Sequence, residues 1–98
     1  MLYVVQEQRD KIDSKINALV EAIDDLMYSP AALKGVANYT ITRLLLKVMK
    51  PASGWNYSAI CDLMGTMTCS QQELYRRLAG PYEDKAIARN GDVTEFVT

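Results

Sequence analysis

The 98-residue chain balances 11 Lys+Arg against 12 Asp+Glu for a formal net charge of −1, and it is 49% hydrophobic and 23% charged. That length and composition predict one folded domain spanning residues 1–98 and exclude a disordered chain, while the near-neutral charge gives no whole-molecule electrostatic case for binding nucleic acid. The absence of histidine removes the commonest general base, the commonest metal ligand and every Ser-His or Cys-His nucleophile pair.

Residues 1–5, Met-Leu-Tyr-Val-Val, are apolar and β-prone but too short to stand without a partner. From about Gln6 to Met27, the residues Ile12, Ile16, Leu19, Ile23 and Leu26 recur at spacings of four, three, four and three, which predicts an amphipathic helix. Its other faces carry charges, with Glu7 and Lys11 in the favourable i to i+4 order. Ser29-Pro30 predicts the next start, serine as N-cap and proline at the first helical position. The helix that follows has a broad apolar face (Leu33, Val36, Ile41, Leu44, Leu45, Val48), which predicts a central position. Gly35 and the Asn38-Tyr39-Thr40 stretch weaken its start, which leaves the first turn open to being a separate piece, and it ends before Pro51.

Pro51-Ala52-Ser53-Gly54 is a predicted loop, and a third helix begins near Trp55 to Ser58. It presents Ile60, Leu63, Met64, Met67, Leu74 and Leu78, interrupted by Ser70 and Gln71. Ser70-Gln71-Gln72-Glu73 also matches a capping box, so residues 56–79 read as one helix or as two broken near Cys69. One helix is the favoured reading because no proline or tight-turn pair divides the halves. Gly80-Pro81 is predicted to close it, a short fourth helix follows to Arg89, and Asn90-Gly91 stops that one. The tail from Asp92 is β-prone and is expected to be extended, with residues 2–5 as a pairing partner in the same or another subunit. Methionines 49, 64 and 67 are expected to fill core gaps, and Trp55, Tyr57 and Tyr39 to cap a core or anchor an interface.

Cys61 and Cys69 lie eight apart in one predicted helix, roughly 12 Å at the helical rise, too far for a disulfide. They are expected to be reduced and structural, as in a cytosolic protein. No signal-peptide pattern and no apolar run of about 18 residues is visible, which predicts an intracellular, cytoplasmic protein off the membrane.

The segments Thr42-Arg43-Leu44-Leu45-Leu46, Glu73-Leu74-Tyr75-Arg76-Arg77, Pro81-Tyr82-Glu83-Asp84-Lys85 and Asn90-Gly91-Asp92-Val93 resemble a family of short uncharacterised proteins of bacteriophages and bacteria. That pattern runs Thr-Arg-Leu-Leu, Tyr-Arg-Arg, Ala-Pro-Tyr-Glu-Asp-Lys-Lys-Ile and Asn-Gly-Asp-Val. The chain departs from it with Gly80 in place of alanine and Ala86 in place of the second lysine. The resemblance implies a phage or prophage origin rather than a mechanism.

Two cysteines are too few for a zinc site and no glycine-rich phosphate loop is present, which leaves carboxylates as the route to metal chemistry. Glu21, Asp24 and Asp25 have the i, i+3 and i+4 spacing to hold Mg²⁺ from one face, or they form a solvated acidic face. No second pair repeats that spacing, as helical nucleotide pyrophosphohydrolases would require. Arg43, Lys47 and Lys50 form one basic stripe, suited either to phosphate or to the helix C-terminal dipole. Arg76 and Arg77 point about 100° apart. One of them suits an anionic ligand or a carboxylate, Glu83 or Asp84, with Tyr75 and Tyr82 poised to stack. The alternative is an internal salt-bridge and tyrosine lock tying the Pro81 turn to the helix.

These features together predict an all-α fold of three main helices plus a short fourth, with small extended ends, assembled as a homo-oligomeric bundle of two or more copies. The leading functional expectation is a non-enzymatic binding protein acting stoichiometrically on a host macromolecule, without cofactor or metal, through Tyr75, Arg76, Arg77, Tyr82 and Glu83. The second is a sponge for a nucleotide-like anion between subunits, using Arg43, Lys47, Arg76 and a tyrosine. The third is a Mg²⁺-dependent nucleotide hydrolase built on Glu21, Asp24 and Asp25.

Overall fold

A computed structural model describes residues 3–26 and 29–97. The fold is all-α: helices α1 (Gln6–Asp24), α2 (Pro30–Met49), α3 (Tyr57–Leu74) and α4 (Gly80–Asn90) follow in order, with a π-helical turn at Tyr75–Ala79 and a 3₁₀ turn at Thr94–Phe96. Contacts group the chain into two compact units, Met1–Ala59 and Ile60–Thr98.

In the first unit the local signals work as read. The Lys11 ammonium lies 3.6 Å from Glu7 one turn back along α1. Ser29 caps α2, its Oγ accepting the Ala32 N–H at 3.3 Å with Pro30 opening the helix. Gly35 does not split α2, which runs unbroken to Met49; its β-branched Thr40 and Thr42 donate their hydroxyls to the carbonyls four residues back, on Val36 and Asn38. Lys50, the residue before Pro51, is extended at φ −66° and ψ 121°, as the following ring demands. The Pro51–Gly54 turn closes with the Gly54 N–H on the Pro51 carbonyl at 3.0 Å, and Gly54 takes φ +92°, a conformation open to glycine. Asn56 then starts α3, its side-chain oxygen accepting the Ala59 N–H at 2.8 Å.

In the second unit α3 continues through Cys69 without a break, so residues 57–74 form one helix despite the capping-box pattern. Gly80-Pro81 does not close the helical path, contrary to the sequence reading. The chain passes from α3 through the π turn into α4 with helical backbone throughout, Ala79 at φ −84°, ψ −35° and Gly80 at φ −52°, ψ −51°. The reason lies in proline's two demands on a helix, a missing N–H and a ring that collides with the carbonyl four residues back. A π turn, in which the Gly80 N–H reaches five residues back to the Tyr75 carbonyl, widens the helix before Pro81 and meets both. Helix α4 stops where Asn90-Gly91 signals: Gly91 sits at φ +90° and its N–H bonds the Ile87 carbonyl at 2.8 Å.

The β-prone tail is a 3₁₀ turn in place of a strand, with Phe96 and Val97 N–H groups bonding Val93 and Thr94 carbonyls. No strand forms among the described residues, and Leu2, Met27 and Thr98 lie outside them. A three-residue hydrogen-bonded turn satisfies its own backbone, whereas an isolated strand pair leaves an uncovered face.

Burial departs furthest from expectation. Ala59, 8% exposed, is the one buried residue among those described. Ile12 and Ile16 of the α1 seam are exposed, as are Met64 and Met67, expected in a core, and α2, expected to be central, buries none of its residues. The apolar stripes exist, and these members of them stand exposed among the described residues.

Candidate functional site

Four of the residues singled out from the sequence converge on the π turn of the second unit. Arg76 grips Glu73 in a fork, with Nη2 at 2.7 Å from Oε1 and 2.9 Å from Oε2 and Nε at 3.3 Å from Oε2. Arg77 stands 3.8 Å from the same carboxylate. Such planar, bidentate geometry suits guanidinium and carboxylate. The arginines therefore share Glu73, one turn upstream, and Glu83 goes to another partner, the Tyr75 hydroxyl, which donates to its Oε1. The sequence offered one arginine an anionic ligand or a carboxylate such as Glu83 or Asp84, and the carboxylate held is Glu73. Spacing explains the outcome: Glu73 is three and four residues from Arg76 and Arg77, the distances at which helical side chains meet.

The Tyr75–Glu83 pair depends on the π turn. One π turn of roughly 4.4 residues and one α turn of 3.6 add up to about eight, so residues 75 and 83 share a face that a continuous α-helix would deny them. The hydrogen bond, followed by the carboxylate charge, holds the Tyr75 phenol above its ordinary pKa. This arrangement contains the tyrosine lock and salt bridge anticipated as the structural alternative. It still leaves polar groups facing water: the side chains of Arg76 and Arg77 are each 64% exposed against 21% for Glu73. Tyr82 is 80% exposed.

Arg43 and Lys47 lie in the first unit, one turn apart on α2, and line an open depression of about 260 Å³ with Leu19, Tyr39, Thr40 and Leu44. Arg43 donates to the Tyr39 hydroxyl at 3.0 Å, with its guanidinium carbon 5.8 Å from that ring's centre. Tyr39 is thus part of this site although the sequence reading placed it only as a core or interface aromatic; its i to i+4 spacing to Arg43 was the available signal. Among the described residues no three acidic or cysteine side chains gather to hold a metal ion, Glu21, Asp24 and Asp25 included. Cys61 and Cys69 are free thiols as expected, but exposed rather than packed. No helix among the described residues is long and apolar enough to cross a membrane.

Residues 1–93 match the family model described as Domain of unknown function (DUF6899). The chain belongs to the DUF6899 family. No curated protein and no solved structure matches it. The DUF6899 match takes in both clusters, the Arg43–Lys47 depression and the whole Glu73–Glu83 region, and ends as the tail begins.

Proposed function

We propose that this chain is a non-enzymatic, self-associating binding protein of phage or prophage type that acts stoichiometrically on a host macromolecule in the host cytoplasm. Its working surface is Tyr75, Arg76, Arg77, Tyr82 and Glu83. The observation that carries the reading is the exposure of Tyr82, at 80%, beside a π turn whose tyrosine is also 57% exposed. Tyrosine and arginine are the residue types that dominate binding hot spots, because they bring large contact area with directional polar ends. The Glu73 fork and the Tyr75–Glu83 bond hold this surface in one geometry before any partner arrives, which lowers the ordering cost of binding.

The test is capture from host lysate by the full chain, followed by calorimetry with the purified partner. Arg76→Ala/Arg77→Ala and Tyr82→Ala should each abolish binding while the helical circular dichroism is retained. Loss of the helical signal in the arginine variant, or unchanged binding by Tyr82→Ala, would reassign the cluster to holding the helix together.

A second reading is favoured by the Arg43–Lys47 depression, where two cations, a hydroxyl and an aromatic ring border apolar Leu19 and Leu44. That is the chemistry of a site for a nucleotide-like anion, with phosphate on the cations and a base on the aromatic and aliphatic groups. Nucleotides and cyclic dinucleotides should then raise the melting temperature, less so at high salt, and Lys47→Ala should remove the effect. No shift at millimolar ligand would end this reading.

A further inference from the structure

The second unit carries an apolar seam whose side chains stand exposed among the described residues. Ile60, Met64, Met67, Gln71, Leu74 and Leu78 follow one another at four, three, four, three and four residues, the heptad spacing of a coiled-coil seam, with Met64, Gln71 and Leu78 at a and Ile60, Met67 and Leu74 at d. The pattern lies on continuous helix, α3 leading into the π turn. Its five apolar members are 44%, 56%, 42%, 60% and 66% exposed in chain order. Leu78, within the π turn, stays about one turn from Leu74 and on the same face.

We propose that this seam pairs with the same seam of a second copy of the chain, parallel and in register, with Gln71 meeting Gln71 across a two-fold axis. Two observations select a second copy over a foreign partner. A side chain at the centre of an isologous contact meets itself, and a primary amide, both donor and acceptor, can satisfy its own copy where a carboxylate or ammonium cannot. The flanking e and g positions also carry no charge over most of the seam: Cys61, Leu63, Thr68, Ser70 and Tyr75 precede Arg77. Self-pairing therefore brings no like charges together along it, whereas partner choice between different chains is ordinarily written in charges at those positions.

Gln71 also fixes the direction. In a fully overlapping antiparallel pair it would oppose Met67 of the second copy and lose its amide partner, at the cost of a buried unsatisfied group. The parallel arrangement places amide against amide, the recognised use of one polar a position to set register.

The experiment uses the full chain with both native thiols removed, Cys61→Ser/Cys69→Ser, carrying either Gln71→Cys at the seam or Asp62→Cys on the outer face. Circular dichroism confirms folding, and mild oxidation is followed on non-reducing gels beside sedimentation of the unmodified protein. Gln71→Cys should form disulfide-linked dimer at least ten times faster than Asp62→Cys. A second variant, Gln71→Glu, should dissociate at pH 7, where two carboxylates would meet, while Gln71→Leu stays associated. The inference rests on the self-association in the proposed function, and the outcomes separate the two. An oligomer that persists while the two cysteine variants cross-link equally overturns the seam alone, a monomer overturns self-association as well, and neither bears on capture through Tyr82.

Discussion

The Tyr75 hydroxyl donates its hydrogen to Glu83 across a π turn, joining residues eight apart on one face of the helix. That single contact reports on the geometry of the whole turn, because the two residues diverge as soon as the turn tightens to α.

It also makes an alkaline signature. The bond requires the neutral phenol, so the folded pKa of Tyr75 lies above its ordinary value of 10.0. A group whose folded pKa is raised contributes stability that is fully present below the unfolded value and lost as pH rises through the folded one. The melting temperature of the wild type should therefore fall more steeply above about pH 10 than that of Tyr75→Phe. Glu83→Gln should move one tyrosine of the phenolate absorbance titration to lower pH. An unchanged titration curve would show that the bond is not held in solution.

Pro81→Ala restores the missing N–H and removes the ring that would collide with the Arg77 carbonyl in a continuous α-helix. The turn should relax toward α geometry, with helical circular dichroism kept or raised and a stability gain bounded by the ~3 kcal/mol that an interior proline costs a helix. Tyr75 and Glu83 would then stand about 80° apart around the axis at 100° per residue, and the phenol should titrate normally. Persistence of the raised titration in this variant would mean that proline is not the cause of the wide turn.

Two caps can be ranked. Asn56 accepts its N–H at 2.8 Å and Ser29 at 3.3 Å. Each change to alanine should cost about 1 kcal/mol, within a range of roughly 0.5–2, with Asn56→Ala the larger. Denaturant unfolding gives both values, and the reverse order would contradict the geometry.

The Arg76–Glu73 fork sits at the surface, with the arginine side chain 64% exposed. A double-mutant cycle between Glu73→Gln and Arg76→Ala should give a coupling of about 0.5 kcal/mol at low ionic strength. The coupling should shrink in molar salt, where the screening length falls to about 3 Å. A coupling of several kcal/mol would place the pair in a far drier setting than its exposure allows.

Helix ends were legible because they are set by neighbours in sequence. Ser29-Pro30, Lys50-Pro51 and Asn90-Gly91 each impose local backbone angles whatever surrounds them. Gly80-Pro81 misled because the same proline that stops an α-helix is tolerated after a π turn. Of the site, the Arg76–Glu73 pairing could be read from i, i+3 spacing, but the Tyr75–Glu83 contact could not, because it follows from a turn that the sequence appeared to forbid. Burial was the least legible property. Periodicity says which side chains seek cover, as with Ile12 and Ile16, but not which molecule provides it.

The π turn at Tyr75–Ala79 also bears on how this region can change length. A helix that admits one extra residue as a wide turn keeps the faces before and after it aligned, so a single insertion is absorbed where it occurs. Conversely, a relative one residue shorter between Leu74 and Pro81, and lacking the proline, would present the same flanking surfaces on an unbroken α-helix. Sequence comparison across this stretch should therefore allow a one-residue gap, or α4 will be aligned out of phase with its true counterparts.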